Sequence, residues 1–504
     1  MHSDKSPSLL INAISNWAAL GISLIIGFLL TPFIISHIGK TGYGIWVLVG
    51  SIIGYYGILD LGITSAITRY VARYFGQKNY AAINRTINTS LVMFSIIGIV
   101  IVSVSFILSG PLSSFFNVSV ENYNDFRLVI IILGLSAGLG FPGNLFGAVL
   151  RAHERFVTFN IISGVVVVVR ASLIILFLSK GLGLVGVAYS HFISELIKIS
   201  SNYILCRVKF SYLKIHLKNV SWAVAGVLLG YGAATTVGTI ADTMRFNLDS
   251  FVIGKWVDLS AVAVYGIAAL IVRYFLQFIY LGAQIIFTPR YAALDGKGQR
   301  NRLRILFLRS LSISAFLSFC VGTLIIIFGH QFILLWVGKE YIDAVPVLWI
   351  LTIAYAIALA QTPGISLVYA LKKHYLFAAA SIVEGVANFL LSIYFASRYG
   401  IIGVAMGTAI PMLIVKLFVQ PIYVSRVIGI SIKKYFFQLV PSLCLAIGFV
   451  SVKNILTRMS FLGDGYFSIV IKSIPFLGSF LLLFLLIQKI TGNKVLAKEN
   501  RMSL

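Results

Sequence analysis

The chain has 504 residues, 59% of them hydrophobic and only 11% charged, with a mean hydropathy of +0.97. That balance excludes division into water-soluble globular units of ordinary size. A formal charge of +25 would suggest nucleic acid for a soluble protein, but that reading assumes a solvated basic face, which a chain with so few charged residues barely has, so nucleic acid is not expected as a partner and the basic excess needs a membrane explanation.

About 20 consecutive apolar residues cross hydrocarbon as a helix, and fourteen such spans can be drawn. Span 1, residues 9–35, is too long for the core of a cleaved signal peptide. Span 2, residues 43–66, carries Gly50 and Gly54 as a small-xxx-small face, with Gly57 and Gly62 further along for close helix contact. It also holds Asp60 and the pair Tyr55 and Tyr56, read as packing or interfacial aromatics, with stacking on sugar rings as the alternative. Spans 3 and 4 cover 87–108 and 128–149, the second with Pro142-Gly143 inside it. Span 5, residues 157–178, contains Arg170. In span 6, residues 182–205, His191, Glu195 and Lys198 stand at i, i+4 and i+7 on one face. Span 7, residues 221–253, repeats that device with Asp242, Arg245 and Asp249 at i, i+3 and i+7. Spans 8 and 9 cover 261–287, with Arg273, and 305–328. Span 10, residues 345–371, contains Pro363-Gly364. Spans 11 and 12 are 375–396, with Glu384, and 400–424, with Lys416; spans 13 and 14 are 435–456 and 466–487.

Cytoplasmic loops hold an excess of Lys and Arg. Alternate loops of this map carry 25 basic residues on one side and 8 on the other, which predicts both termini in the cytoplasm.

The chain repeats itself at long period. Ile38-Gly39-Lys40 recurs as Ile253-Gly254-Lys255, Tyr43-Gly44-Ile45 as Tyr265-Gly266-Ile267, Arg69-Tyr70 as Arg290-Tyr291, Pro142-Gly143 as Pro363-Gly364, and Gly186-Val187-Ala188 as Gly403-Val404-Ala405, all in one order at offsets of 215 to 222. Spans 1–6 thus match spans 7–12, and an even number per copy makes the repeat parallel. The predicted fold is all-α and integral to the membrane: an N-lobe over 1–220, a C-lobe over 221–434, and a final part over 435–504 with two further spans and a cytoplasmic tail. Paired six-helix lobes are a transporter architecture with a central cavity expected between them.

Ionisable residues inside a span default to a polar cavity or to pairing. Arg170 and Arg273 lie mid-span with no acidic partner at helical spacing, which favours a cavity lining over a partner on a neighbouring helix; Arg245 and Lys416 come next. Asp60, Glu195, Lys198, Asp242, Asp249 and Glu384 are read as coupling groups or structural ion pairs. Pro142-Gly143 and Pro363-Gly364, at matching depths, are hinge candidates, with a static bend as the equal alternative. The three cysteines are scattered, no HExxH or phosphate loop occurs, and the outer loops near 111–125 and 329–344 are far below domain size. No metal, cofactor or catalytic group is expected.

The stretch HIGKTGYGIWVLVGSIIGYYGILDLGITSAITRYVARYFG, from His37 to Gly76, and RFNLDSFVIGKWVDLSAVAVYGIA, from Arg245 to Ala268, resemble the bacterial polysaccharide transporter family, the Wzx-type oligosaccharide flippases. The resemblance covers nearly the whole chain and implies the multidrug and toxin extrusion fold with two extra helices. It implies a flippase that turns a polyprenyl-diphosphate-linked oligosaccharide from the inner to the outer leaflet of the bacterial cytoplasmic membrane by alternating access. Membrane lipids, a polysaccharide polymerase and glycosyltransferases would be its partners. An anionic diphosphate leaving water needs cations, and Arg offers a planar fork for phosphate oxygens, so Arg170 and Arg273, then Arg245 and Lys416, are the residues expected to bind it. The main alternative is a cation-coupled exporter of drugs or small metabolites on the same fold. A membrane polymerase or ligase, which needs a large outer catalytic loop, fits less well.

Overall fold

The computed structural model describes residues 9–373, 375–452 and 465–500. Lys5, Lys453, Arg458 and Arg501, which enter the charge balance above, lie outside them, as does the end of the expected span 13. The described residues are almost all helical, because a backbone in hydrocarbon must satisfy its own N–H and C=O groups. Large apolar side chains such as Leu29, Ile99, Phe106 and Ile107 stand more than 60% exposed, which suits contact with lipid rather than water. The chain is a multi-pass membrane protein. Among the described residues nine helices are long and apolar enough to cross a bilayer, or ten when one bent pair counts as a single span.

Chain order gives α1 (Leu9–Tyr55), α2 (Ile63–Gly76), α3 (Tyr80–Phe115), α4 (Val120–Ala152), α5 (Phe156–Ser179), α6 (Gly183–Lys209), α7 (Trp222–Trp256) and α8 (Leu259–Gly296). There follow α9 (Arg300–Trp336), α10 (Ala344–Ala360), α11 (Thr362–Ala370), α12 (Tyr375–Ile414), α13 (Gln420–Ile428), α14 (Ile432–Ser451) and α15 (Tyr466–Asn500). The expected fourteen crossings are not what length and apolarity return, for two physical reasons. First, α1 and α12 each hold two expected spans, joined across Gly39 (φ 69°) and Gly400 (φ 55°) in backbone conformations that favour glycine. Second, α6 carries His191, Glu195 and Lys198 and falls short of the needed apolarity, and α7 contributes only a shorter apolar stretch, Trp222–Ala233, among the described residues.

The chain forms two compact units, Met1–Ala263 and Val264–Leu504. In the first, α3, α4, α5 and α6 pack together, and α7 lies against α1, α2 and α3. A core of Ile63, Ile67, Ile83, Ile87, Phe94, Leu145, Val149, Cys206 and Phe210 joins α2, α3, α4 and the end of α6. Close approach needs glycine at two contacts of this unit: a Cβ on Gly44 would sit 1.7 Å from the Leu259 carbonyl oxygen, and one on Gly232 would sit 2.0 Å from that of Leu61.

The expected continuous span over 43–66 is corrected by the structure. After Tyr55 the helix tightens into a 3-10 turn, Tyr56–Asp60, and is broken by left-handed Leu61 and Gly62 before α2 begins. Gly62 therefore marks a break, and the hydropathy of the stretch concealed it. Of the other glycines read as a packing face, Gly54 abuts Asn247, whereas Gly50 and Gly57 face open space. Tyr56 hydrogen-bonds Ser105 on α3 at 2.8 Å, a packing role.

In the second unit α9 is central, packed by α10, α11, α14 and α15, while α10 also meets α12. The helix bends by 41° between α10 and α11 at Gln361, with Pro363 in the first turn of α11, where its missing N–H costs nothing. Its sequence counterpart Pro142 sits inside α4, which continues unbroken to Ala152. Between α12 and α13 the chain winds through one π-helical turn, Val415–Val419.

Candidate functional site

A polar cluster crosses from α5 to α6 in the first unit. Arg170 on α5 donates from Nε to Ser194 Oγ at 2.9 Å and from Nη1 toward His191 Nε2 at 3.4 Å. Those bonds use two of the five N–H donors of the guanidinium. Ser194 donates in turn to the His191 carbonyl at 2.9 Å, and the His191 ring lies 5.3 Å from Trp46 on α1. One turn further on, Lys198 Nζ bridges both oxygens of Glu195 at 2.9 and 3.3 Å. Lys198 and Glu195 remain 25% and 16% exposed and Arg170 is half-buried, so the row of charge is neither sealed in protein nor laid bare. Helical spacing on α6 puts these groups on one face, and Gly140 on α4 leaves room for the Glu195 carboxylate, which a Cβ there would approach to 3.4 Å.

Asp60 stands at the break before α2. Its Oδ1 accepts from the Thr64 backbone N–H at 3.2 Å and its Oδ2 from the Thr64 hydroxyl, so it satisfies groups that a helix start leaves unpaired. Arg151, at the end of α4, is near enough to feel the Asp60 charge, and its guanidinium lies over Phe159 at 4.7 Å. Asp249 on α7 is buried. The side chains of Asp242 and Arg245 lie outside those described, so the triad expected on α7 is placed only as positions along that helix.

In the second unit Lys416 is 3% exposed inside the π-helical turn, donates to Gln420 Oε1 at 2.9 Å and lies over the Phe377 ring at 4.7 Å. Gln420 Nε2 donates at 2.8 Å to the Gln361 carbonyl at the α10–α11 bend, and Tyr435 on α14 donates to Gln361 Oε1 at 2.9 Å. Gly364 leaves the space: a Cβ there would meet Gln420 Nε2 at 3.1 Å. Glu384 is buried on α12, one turn before Asn388, whose Oδ1 accepts from Ser392 at 2.8 Å and Thr408 at 3.3 Å. Arg273 is exposed on α8.

The structure thus brings Arg170, Glu195 and Lys198 together, sets Asp60 at a helix start, and gives Lys416 and Glu384 buried surroundings. Sequence reasoning missed Ser194, Gln361, Gln420, Tyr435 and Asn388. Each is an uncharged polar group in an apolar span, a signal that was present but outranked by formal charge. Among the described residues no group of three or more His, Cys, Asp or Glu side chains gathers to hold a metal ion.

Residues 43–346 match the family described as polysaccharide biosynthesis protein. A putative O-antigen transporter of Shigella flexneri is 24% identical over 430 residues, 82% of this chain and 98% of that protein. The uncharacterized membrane protein EpsK of Bacillus subtilis (strain 168) is 22% identical over 431 residues, 83% of each chain. Among solved structures the fold is similar to the lipid II flippase MurJ in an inward closed conformation, with TM-score 0.70 and 15% identity over 97% of this chain and all of that one. It is also similar to an inward-facing multidrug resistance transporter of the MATE family and MOP superfamily, with TM-score 0.68 and 19% identity over 84% of this chain and 99% of that one. The family match spans well over half of the sequence, and the helical architecture agrees with it: the chain belongs to the polysaccharide biosynthesis protein family, on the fold of the MOP superfamily transporters.

Proposed function

We propose that the protein is a flippase, not an enzyme, that moves a polyprenyl-diphosphate-linked oligosaccharide from the inner to the outer leaflet of the bacterial cytoplasmic membrane by alternating access. In this reading the chain crosses fourteen times with both termini cytoplasmic, residues 1–220 and 221–434 form matching lobes, and 435–504 supply an accessory pair. The observation that carries it is Arg170: a guanidinium in a spanning helix, oriented by Ser194 and His191, only half-buried, with donors to spare for phosphate oxygens. Arg273, Arg245 and Lys416 complete the set proposed to meet the diphosphate. Lys416 acts in this scheme only when Gln420 and Phe377 give it up.

A lipid carrier also needs an apolar berth. A cavity of about 240 Å³ in the second unit is lined by Ile271, Leu324, Phe328, Phe332, Leu348 and Ile469, with Ser473 as its polar side chain, a mostly apolar lining suited to isoprenoid. A membrane potential of about 100 mV, negative inside, favours outward passage of each negative charge by about 2.3 kcal/mol, so export of an anionic headgroup needs no nucleotide for that step. Glu195, Lys198, Asp60, Asp242, Asp249 and Glu384 are left for ion coupling or structural pairing, and Pro142-Gly143 and Pro363-Gly364 for bending.

Deletion of the gene in its native cell is expected to strand sugar-loaded carrier on the cytoplasmic leaflet, with Arg170→Ala reproducing the block. Unchanged carrier levels, together with lost resistance to a cationic drug, would favour the cation-coupled exporter instead.

A further inference from the structure

The segment between α6 and α7 is the longest stretch of the first unit without a full helix, yet it is held along its length. Asn84 and Asn88 stand one turn apart on α3 and act as a short strand edge made of side chains. Asn84 Nδ2 donates to the Tyr212 carbonyl at 2.9 Å and its Oδ1 accepts from Lys214 N at 2.8 Å. Asn88 Nδ2 donates to the Lys214 carbonyl at 2.8 Å and its Oδ1 accepts from His216 N at 2.8 Å. Thr89 Oγ1 then accepts from Ser221 N at 3.0 Å. The match is geometric: four residues of helix rise about 6 Å, and two residues of extended chain about 6.6 Å. Leu213 is buried in the core below, Arg207 donates to the Leu213 carbonyl at 2.9 Å, and the Tyr212 ring lies 4.5 Å from Tyr80.

The clamped strap presents one sign of charge. Lys214 and Lys218 are exposed on it, Lys209 is exposed at the end of α6 where it begins, and Lys78 and Arg85 are exposed beside it around the start of α3. The sequence has no Asp or Glu between Glu195 and Asp242, or between Asp60 and Glu121. The nearby α4–α5 turn contributes Glu154, flanked by Arg151 and Arg155. Among these cations Leu217 and Trp222 stand 80% and 73% exposed. A 36-residue α3 is about 54 Å long against about 30 Å of hydrocarbon, which sets its first turns, and the strap on them, at headgroup depth.

We infer that this strap is a docking surface for anionic phospholipid headgroups, its lysines meeting phosphate and its Leu217 and Trp222 entering the boundary below. With the backbone of the strap already held by Asn84 and Asn88, only the lysine side chains have to order when lipid arrives. The inference is independent of what the protein carries, since it needs only the spanning helices.

The test uses the full chain in nanodiscs of phosphatidylcholine mixed with phosphatidylglycerol, with retained lipid read by native mass spectrometry after release. The wild type is expected to retain phosphatidylglycerol preferentially, and less of it as salt rises. Each lysine contributes about a fivefold preference, the equivalent of about 1 kcal/mol. Lys209→Gln/Lys214→Gln/Lys218→Gln should therefore lower the preference at least tenfold. Asn84→Ala/Asn88→Ala removes no charge but frees the strap, and should lower it several-fold. A wild type without preference, a preference indifferent to salt, or a lysine triple variant that retains phosphatidylglycerol as the wild type does would overturn the lipid surface. Full retention by the asparagine double variant would overturn the clamp as its organiser.

Discussion

Arg170 and Ser194 are joined at 2.9 Å across two helices, and the serine in turn leans on the His191 carbonyl, so the guanidinium is aimed from behind rather than floating in its site. Arg170→Lys keeps the charge but loses the planar fork, and should export more poorly than wild type at equal expression. Ser194→Ala should give a smaller loss, since a hydrogen bond to a charged group contributes about 1.5–3 kcal/mol and His191 remains. Accumulated carrier in the cell measures both. Wild-type export by Arg170→Lys would remove the fork from the proposed site.

Gly44 and Gly50 lie less than two turns apart on α1 and make opposite predictions. Gly44→Ala drives a methyl group to 1.7 Å from the Leu259 carbonyl, so the helices must separate, at about 1–3 kcal/mol. Gly50→Ala meets nothing within 4 Å and should stabilise the helix by about 0.5–1 kcal/mol. Thermal denaturation in one detergent compares them, and equal shifts in the same direction would contradict the contact.

Asp60 starts α2 through Thr64. Asp60→Ala should cost about 0.5–2 kcal/mol, the range for a lost helix cap, and Asp60→Asn less, because the amide oxygen still accepts. Hydrogen exchange at the first turn of α2 is the local measurement, and no change there would refute the capping role.

His153, just past the end of α4, stacks on Phe210 at 4.0 Å, meets Phe75 edge-on and hydrogen-bonds Tyr212 through Nε2. Burial holds its pKa below the ordinary 6.5, the Val149 carbonyl on Nδ1 opposing this and Arg155 adding to it. The unfolded chain therefore takes up a proton near pH 6.5 that the folded ring refuses. Stability should be level above that pH and fall as acid is added below it. His153→Gln should flatten the acid limb of a melting curve series; parallel limbs for the two proteins would count against it.

Gln361 serves three groups at the α10–α11 bend, through its carbonyl, its Oε1 and its Nε2, which donates to the Ile357 carbonyl at 3.1 Å. Gln361→Leu strands the Tyr435 hydroxyl and should cost about 1–3 kcal/mol. Pairing it with Tyr435→Phe should recover part of that loss. A double variant as unstable as the sum of the singles would show that the two residues do not interact.

Much of the architecture was legible because hydrocarbon enforces it: the expected boundaries at 36–42 and at 397–400 fall where the helices kink at Gly39 and Gly400. The break at 56–62 was hidden because Tyr56, Ile58 and Leu61 are apolar whether helical or not, so hydropathy reports the surroundings and not the backbone. At the site, charge and spacing pointed to Arg170 and to the His191, Glu195 and Lys198 face, while the support from Ser194 was invisible because it gains meaning only when α6 is laid against α5. The amide clamp on the strap was illegible for the same reason: Asn84 and Tyr212 are 128 positions apart.

The two ways in which helices are fastened in the second unit set different tolerances for change. Phe316 meets Phe484 at 4.4 Å and Phe480 at 5.6 Å, and Phe449 meets Phe476 at 4.8 Å, so the middle of α15 has a seam of rings, which have no donor or acceptor to match. Exchange of one ring for another, or a small slip along the helix, leaves such a seam intact. The lattice of Lys416, Gln420 and Gln361 admits no such substitution, and descent should therefore edit the ring seam of α15 far more freely than the bend at Gln361.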